Sequence, residues 1–461
     1  MNRKSAILGP LAVIISFACL SCVLVFTKYM PVRNRLIILV VAVIVAMVIM
    51  IVTKRPFWRY LIAICIVIAS IFVFSSQKFV DQMADTKEYE LIKYDLLRMK
   101  DHELPKDPLI GLYGVKENHL EAISDDLKNE MNSDRFKKFS DIDEVVAAFY
   151  DQEIDGLFIN KAMLANLSFL YPDFIKDTIL VNSYEYRLGR DSIVKEVDVL
   201  KEPFTIYLSG IDVYGDVVTR SRSDMNLLLS VNPITNDVLT VSIPRDTYAP
   251  LGCENGELDK LTHAGLYGVT CSVKTLEKLL NIDINYYIRV NFTGLVQIVD
   301  TLDGIDVLSH YDFVTENGDV FIKGMNHVDG QKALAFARER DHVEYGDVAR
   351  GLHHQELVKA IFEKATQTEN IIKAPQITSL ISQVVDTNLD DGSISKLISK
   401  QIETSDHWHF EEDYLRGEGD MQPTYSQDGR YKYYVYWPHE DSVAAIKKQI
   451  NDLMIANKEG S

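Results

Sequence analysis

No aspartate or glutamate occurs before Asp81, although nine lysines and arginines lie within the first 78 residues. A globular surface mixes both signs of charge, so this absence excludes an ordinary water-facing domain at the amino terminus. Three uncharged apolar runs fill the region instead: Ile7 to Phe26, Leu36 to Val52 and Tyr60 to Ser76, of 20, 17 and 17 residues. Each is near the length a helix needs to cross a bilayer at about 1.5 Å per residue. Arg3 and Lys4 before the first run would also suit a cleaved signal peptide, but the run is long for one and two more follow. The sequence therefore predicts three transmembrane helices within 1–78. Arg3, Lys4, Lys54, Arg55 and Arg59 against Lys28, Arg33, Arg35 and Lys78 is a weak asymmetry that places the large carboxy-terminal part outside the cytoplasm.

Cysteine is scarce as well, with five in 461 residues. Cys19, Cys22 and Cys65 fall in the apolar runs, where a thiol behaves as a small hydrophobe. Cys253 and Cys271, 18 positions apart, have no Cys-x-x-Cys partner or histidine cluster beside them, which excludes a structural zinc site. On an extracytoplasmic face a disulfide between them is plausible. No internal repeat is visible, so a solenoid is excluded.

Acid is abundant after residue 78. The chain has 48 basic and 66 acidic residues; removing the nine early basic ones leaves 39 against 66, a net of −27. Such a surface repels phosphate backbones, so direct nucleic-acid binding is not expected, and any anion must be held in a local basic site. The first six residues and the Thr53 to Arg59 loop would be too short for a helix-turn-helix domain.

Two soluble units fit the remaining length. Residues 79–202 read as a stalk helix from Phe79 to Lys100, then a small α/β accessory domain: PLIGLYGV and DGLFIN as strands, HLEAISDDLKNEMN, DIDEVVAAFY and KAMLANLSFLY as helices. Residues 203–461 begin β-rich, with PFTIYLSGID, DMNLLLSVNP, VLTVSIPRD and YYIRVNF as buried strands. CSVKTLEKLLNI, TGLVQIVDTLDG, Gly330 to Ala337, Asp347 to Gln367 and Ser442 to Leu453 read as helices, and Tyr431 to Tyr436 as a strand. This alternation predicts an α/β/α sandwich around a central mixed sheet.

Arginines gather beside aspartates at the ends of these elements: Asp212, Arg220, Arg222 and Asp224; Arg245 and Asp246; Arg338 and Arg340 with Asp341, followed by Asp347, Arg350 and Gln355. Ligands of open α/β sheets bind beyond the carboxyl ends of strands, where these clusters could meet. Guanidinium groups suit a diphosphate, and aspartates among them suit a Mg²⁺ that bridges carboxylate and phosphate oxygens. Taken singly, each cluster is equally consistent with solvated ion pairs.

The segments LSGIDVYG, TRSRSDMNLLLSVNP, SIPRDTY, VDTLDGIDV, HVDGQKALAFARER and GDVARGLHHQ, in this order, resemble the signature of the LytR-CpsA-Psr family. The three apolar runs and the intervening region are similar to its streptococcal CpsA type, which is associated with capsule. The resemblance implies an extracytoplasmic, multi-pass membrane phosphotransferase that moves a glycopolymer from a polyprenyl-diphosphate lipid carrier to peptidoglycan, leaving a phosphodiester. It implies that Arg222, Arg245, Arg338 and Arg340 grip the pyrophosphate with Gln355 nearby. Asp212 and Asp224 would be catalytic and magnesium-binding, with Asp246 and Arg350 in support. A lipid-diphosphate hydrolase and a membrane-anchored regulator of capsule expression remain alternative readings. His353 and His354 adjoin Gln355 on a predicted helix, where neighbours face different sides, so a shared metal-ligand role is not expected. Asn166 and Asn291 open Asn-x-Ser/Thr triplets without a persuasive loop context.

Overall fold

The computed structural model describes residues 3–26, 32–52, 56–83, 89–115, 119–131, 133–164, 167, 170–190, 192–343, 346–367, 384–404, 407–427, 429 and 431–455. Three helices come first: Arg3–Phe26, Val32–Val52 and Pro56–Met83, of 24, 21 and 28 residues. Val13, Leu20 and Leu24 of the first pack with Ile62, Ala63, Ile66 and Val73 of the third. Counted over the described residues alone, no helix is long and apolar enough to cross a membrane. The expectation of three transmembrane spans thus stands here only as three apolar helices.

The stalk helix expected from Phe79 to Lys100 is corrected. Helix Pro56–Met83 ends early, residues 84–88 lie outside the described set, and Tyr89–Met99 is a strand, β1. Six of its residues from Leu91 to Leu97 are buried, so neither face is polar and the two-residue alternation of a strand is hidden. With β2 (Ile110–Tyr113), β3 (Phe136–Phe139), β4 (Gly156–Asn160) and β5 (Thr178–Gly189) it forms a five-stranded sheet in the order β3-β2-β4-β1-β5. Helices Leu120–Met131 and Ile142–Tyr150 cover it, the second capped by Asp141, whose carboxylate accepts from the N–H groups of Asp143 and Glu144. Asn166 lies outside the described residues.

The second sheet is built on β6 (Phe204–Ile211), β7 (Ser223–Asn232) and β8 (Asp237–Ser242). Short strands β9 (Tyr248–Pro250) and β10 (Leu258–Lys260) pair beside it, and β11 (Tyr286–Asn291) lies parallel to β6. Two further small pairs are β12 (Ile305–Ser309) with β15 (Gly324–Val328), and β13 (Phe313–Val314) with β14 (Val320–Phe321). With β16 (Val385–Thr387) and β17 (His409–Tyr414) the main sheet has the order β16-β11-β6-β7-β8-β17. Parallel pairings (β11 with β6, β8 with β17) coexist with antiparallel ones, so the sheet is mixed as expected. A hairpin of β18 (Gly417–Pro423) and β19 (Lys432–Pro438) and helix Glu440–Ile455 close the chain.

The two faces of this sheet differ. Tyr207, Leu228, Leu239 and Val241 point one way and bury against helices Val269–Leu280 and Glu440–Ile455 through Leu276, Leu280, Ile446 and Ile450. Cys253 and Cys271 are joined by a disulfide at the edge of this core. Their alternating neighbours Ile206, Leu208, Leu229, Val238 and Ile288 point the other way, into a cavity of about 1110 Å³. Helices Gly330–Arg338, Asp347–Thr366 and Asp391–Thr404 form its far wall through Leu334, Leu357, Ile361, Ile394 and Leu397. The sandwich thus has one solid layer and one hollow one.

Candidate functional site

Asp212, Asp224, Arg245, Arg338, Arg340 and Arg350, far apart in sequence, all line the cavity at one end. Local structure aims each of them. The β6/β7 register runs from Gly210 opposite Met225 to Ile211 opposite Ser223, so Asp224 is the extra residue of a bulge. Bulges turn a side chain out of the regular alternation, which here delivers Asp224 to the cleft. Below it, Tyr207, Ser209, Ser223 and Asn226 form a buried network, with the Tyr207 hydroxyl donating to Asn226 Oδ1 at 2.6 Å and the Ser209 and Ser223 hydroxyls 2.7 Å apart. Buried polar groups need such satisfaction, and the network holds the strand ends that lead to Asp212 and Asp224.

Arg245 follows β8 and Pro244. Its Nη1 donates to Asp224 Oδ2 at 2.7 Å, and Thr262 Oγ1 donates to the other oxygen at 3.0 Å. Ser221 Oγ donates to Asp212 Oδ1 at 2.6 Å, and Arg222 Nη2 lies 3.6 Å from Asp212 Oδ2. Arg350, in the first turn of its helix, pairs with Asp347 at 2.8 Å. Arg338 ends helix Gly330–Arg338 and stacks its guanidinium 5.1 Å from the Phe292 ring centroid. Glu339 then accepts from the backbone N–H groups of Arg340, Asp341 and His342 at 2.9 to 3.0 Å, fixing the loop that carries Arg340.

The two cleft carboxyls are pushed apart. Burial, and then the repulsion of Asp224, raise Asp212 above the usual carboxylate range. Burial acts on Asp224 too, but Arg245, Arg222 and Arg350 outweigh it and hold Asp224 low. Paired groups with opposed shifts are what acid and base roles require. Burial lowers Arg350 as well, against Asp347, and Arg245 and Arg340 add to the effect. Such crowding of cations is tolerable where an anion is to be received.

Three expected site residues do not line the cavity: Arg222, Asp246 and Gln355. Arg222 acts on it from outside, through the charges of Asp212 and Asp224. Asp246 sits behind Arg245, 3.7 Å from its Nε, and accepts from Lys260 Nζ at 2.9 Å, which makes it a support for that guanidinium. Gln355 is turned toward the sheet. Its amide donates to the backbone oxygens of Thr240 and Asp413, both at 2.9 Å, tying the helix to β8 and β17. It is only 1% exposed and does not line the cavity. Ser221, Thr262, Lys260 and Glu339 carry no signal in the sequence, because partners in separate loops leave no spacing to read; Asp347, the partner of Arg350, belongs to the third cluster already read there. Among the described residues no group of three or more His, Cys, Asp or Glu side chains is arranged to hold a metal ion. Asp212 and Asp224 are nevertheless a close, mutually repelling carboxyl pair, a donor set that fits magnesium when phosphate and water supply the other oxygens.

His353 and His354 are buried in the core. They donate to the carbonyls of Phe336 and Ala337 at 3.1 and 2.8 Å, holding the helix end that presents Arg338. Burial lowers His353 to about 4 and His354 to about 3 from 6.5. Both are neutral in the folded protein at pH 7, whereas the unfolded chain protonates them near 6.5. The unfolded state therefore binds more protons below that pH, and stability falls as pH drops from 6.5 toward 4 by up to about 1.4 kcal/mol per unit per histidine. Thermal melts should be flat above pH 7 and decline below pH 6.5, and His353→Gln should lessen the slope. A slope unaltered in that variant would show that His353 does not contribute to it. Asn291, the other triplet asparagine, is 2% exposed and caps helix Phe292–Thr301 through Gly294 N–H, so no glycan can sit there.

A family model, the LytR_cpsA_psr family, matches residues 174–452 and so includes every residue of this cleft. The polyisoprenyl-teichoic acid–peptidoglycan teichoic acid transferase TagU of Bacillus mycoides is 38% identical over 207 residues, 44% of this chain and 67% of that protein. Its Bacillus cereus counterpart is 39% identical over 189 residues, 41% of this chain and 61% of that one. The chain thus spans about two thirds of the length of these curated relatives. The crystal structure of B. subtilis TagU is 28% identical, covering 56% of this chain and 100% of its own, with a TM-score of 0.44. Since the family match extends over more than half of its residues, the chain belongs to the LytR_cpsA_psr family.

Proposed function

We propose that this protein transfers a glycopolymer from a polyprenyl-diphosphate carrier to peptidoglycan, forming a phosphodiester. The observation that carries the reading is the shape of the cleft. An apolar cavity of about 1110 Å³ ends in four arginines (Arg245, Arg338, Arg340 and Arg350) and three aspartates (Asp212, Asp224 and Asp341), and a long apolar tail joined to a diphosphate has the same division. The relatives named as polyisoprenyl-linked teichoic acid transferases support it. The similarity of the amino-terminal part to the streptococcal CpsA type favours capsular polysaccharide as the polymer.

In this reading Arg245, Arg338, Arg340 and Arg350 receive the diphosphate, and Arg222 steadies Asp212. Asp212, with its raised affinity for a proton, takes the proton from an acceptor sugar hydroxyl. The hydroxyl oxygen bonds to the phosphorus that bears the polymer, the bond from that phosphorus to the bridging oxygen breaks, and lipid monophosphate departs. The arginines stabilise the charge that moves onto it. Asp212 and Asp224 would hold a Mg²⁺, which when bound supplies further neutralisation of diphosphate charge.

We further propose that the three amino-terminal helices cross the membrane and leave the cleft outside the cytoplasm. The uncharged apolar runs within them, of 20, 17 and 17 residues in the sequence, are each near the thickness of a bilayer core. Leu36, Val40, Val41, Ile44, Val45 and Val48 are each about half exposed on the second helix, an apolar surface that water would not tolerate and lipid would.

Native mass spectrometry of the full chain extracted from membranes tests the lipid assignment. The expected result is a bound polyprenyl phosphate or diphosphate that is lost in Arg338→Ala/Arg340→Ala. Protein free of lipid in every preparation, and unable to take up added polyprenyl phosphate, would overturn it. Product analysis separates transfer from hydrolysis, since water as acceptor releases free polymer.

A further inference from the structure

The first sheet does more than precede the cleft. Past the end of β4, the edge of β1 is open at Leu91, and the loop between β6 and β7 occupies it. Leu91 N–H donates to Val218 O at 3.0 Å and Arg220 N–H donates to Leu91 O at 2.8 Å, a parallel bridge centred on Thr219. Leu91, Val217 and Val218 bury together beneath it.

One residue earlier, the Glu90 side chain leaves its own sheet altogether and is 3% exposed. It accepts from Arg220 Nε at 2.7 Å, from Arg289 Nη1 at 3.3 Å and from Val269 N–H at the start of helix Val269–Leu280 at 3.0 Å. Asp386 takes the rest of this buried charge, accepting from Arg289 Nη2 at 2.7 Å and from both terminal nitrogens of Arg190 at 3.0 Å. Burial alone would raise Glu90, but Arg289, Arg220 and Arg190 together hold it low and ionised. The fit leaves no slack. A Cβ on Gly268, which has φ +107, would lie 2.3 Å from Glu90 Oε2.

Arg220 is followed directly by Ser221 and Arg222, the two residues that hold Asp212. The path from accessory sheet to cleft is therefore short: Glu90 to Arg220, one peptide bond to Ser221, one hydrogen bond to Asp212. Glu90 lies well before the family match begins at residue 174, so its side of this contact comes from outside the matched segment, whereas Arg220, Val269 and Arg289 lie within it.

We propose that Glu90 is a positioning residue for the Asp212 side of the cleft, and that the accessory sheet is a clamp on loop 217–222 rather than a spacer. Without the Glu90 carboxylate, Arg220 and Arg289 repel each other in a buried space, the loop loses its anchor, and the Ser221 and Arg222 contacts to Asp212 loosen. Substrate binding by Arg245, Arg338, Arg340 and Arg350 is built on other elements and persists. The catalytic half of this inference rests on the proposed transferase reading; the clamp itself does not.

The test uses the full chain in nanodiscs with two readouts, amide exchange and transfer kinetics. Glu90→Gln keeps the side-chain shape and removes the charge. Amides 218–223 should then exchange at least about tenfold faster while those of β8 are unchanged, and kcat should fall about tenfold or more with KM within about threefold. Glu90→Gln/Arg220→Gln, which restores a neutral hydrogen-bonding pair, should recover part of both. If Glu90→Gln fails to fold, Arg220→Gln breaks the same contact from the loop side and must give the same two changes. A folded variant with normal protection of 218–223 and normal kcat would overturn the clamp, as would a rise in KM alone. Faster exchange in the variants together with no transfer by the wild-type protein would leave the clamp standing and sink the transferase reading instead.

Discussion

Arg245→Ala should abolish transfer, lowering kcat/KM by about 10³-fold or more, while the protein still folds. Two losses combine. The first is a donor at the centre of the cleft: Arg245 lies between Asp224, at 2.7 Å, and Asp246, at 3.7 Å, and lines the cavity where a diphosphate would sit. The second is its hold on Asp224. Burial pushes that carboxyl up and Arg245 is the strongest force keeping it down, so in the variant Asp224 rises toward protonation and ceases to be a reliable anion beside Asp212. Stability should suffer far less. The Arg245 side chain is 24% exposed and Asp224 keeps Thr262 as a donor, so the expected cost is about 1–2 kcal/mol rather than the larger penalty of a sealed pair. Lysine at this position keeps the charge but not the planar fork, and should restore only part of the activity. Kinetics on the reconstituted full-length protein, with a melt on the same sample, decide the matter. A well-folded Arg245→Ala protein that transfers at near the normal rate would remove Arg245 from the site.

Legibility in the sequence followed a physical line. The strands Phe204–Ile211, Ser223–Asn232 and Asp237–Ser242 were readable because each is a short apolar run bounded by polar turns. β1 was not, because burial on both sides erased its alternation and left a pattern that also suits a helix. β17, HFEEDY, was invisible for the opposite reason: an edge strand in which no side chain is fully buried, and in which Phe410 and Tyr414 are the sole apolar groups, carries too weak a signal to read. The cleft divides in the same way. Arginines and aspartates at strand ends announced a site, but whether each side chain enters it depends on geometry that spacing does not carry. A bulge swings Asp224 in; helix phase turns Gln355 onto the sheet. Glu90 could not have been found, since its partners Arg220 and Arg289 lie 130 and 199 positions away.

The hollow layer of the sandwich makes the second large prediction, because two adjacent leucines on β7 should respond oppositely to the same change. Leu228 is fully buried in the solid layer among Tyr207, Leu239 and Leu276. Leu229, next in sequence, faces the cavity. Interiors are packed nearly as tightly as crystals, so Leu228→Trp forces an indole where there is no room and should destabilise the fold by about 1–3 kcal/mol. Leu229→Trp meets empty apolar space and should be neutral or slightly stabilising. Its effect should fall on ligand instead. An indole in the tail cavity displaces the equivalent of three or four methylenes of an isoprenoid chain, and at about 0.8 kcal/mol each that is about 3 kcal/mol, on the order of 100-fold in affinity. Transfer should drop with it through KM, because the arginines and aspartates at the far end are untouched. The same substitution should leave binding of a soluble diphosphate without a tail unaltered, which separates a blocked cavity from a distorted head-group site. Polyprenyl phosphate binding that survives Leu229→Trp at full strength would mean that the tail lies elsewhere and that this cavity serves another purpose.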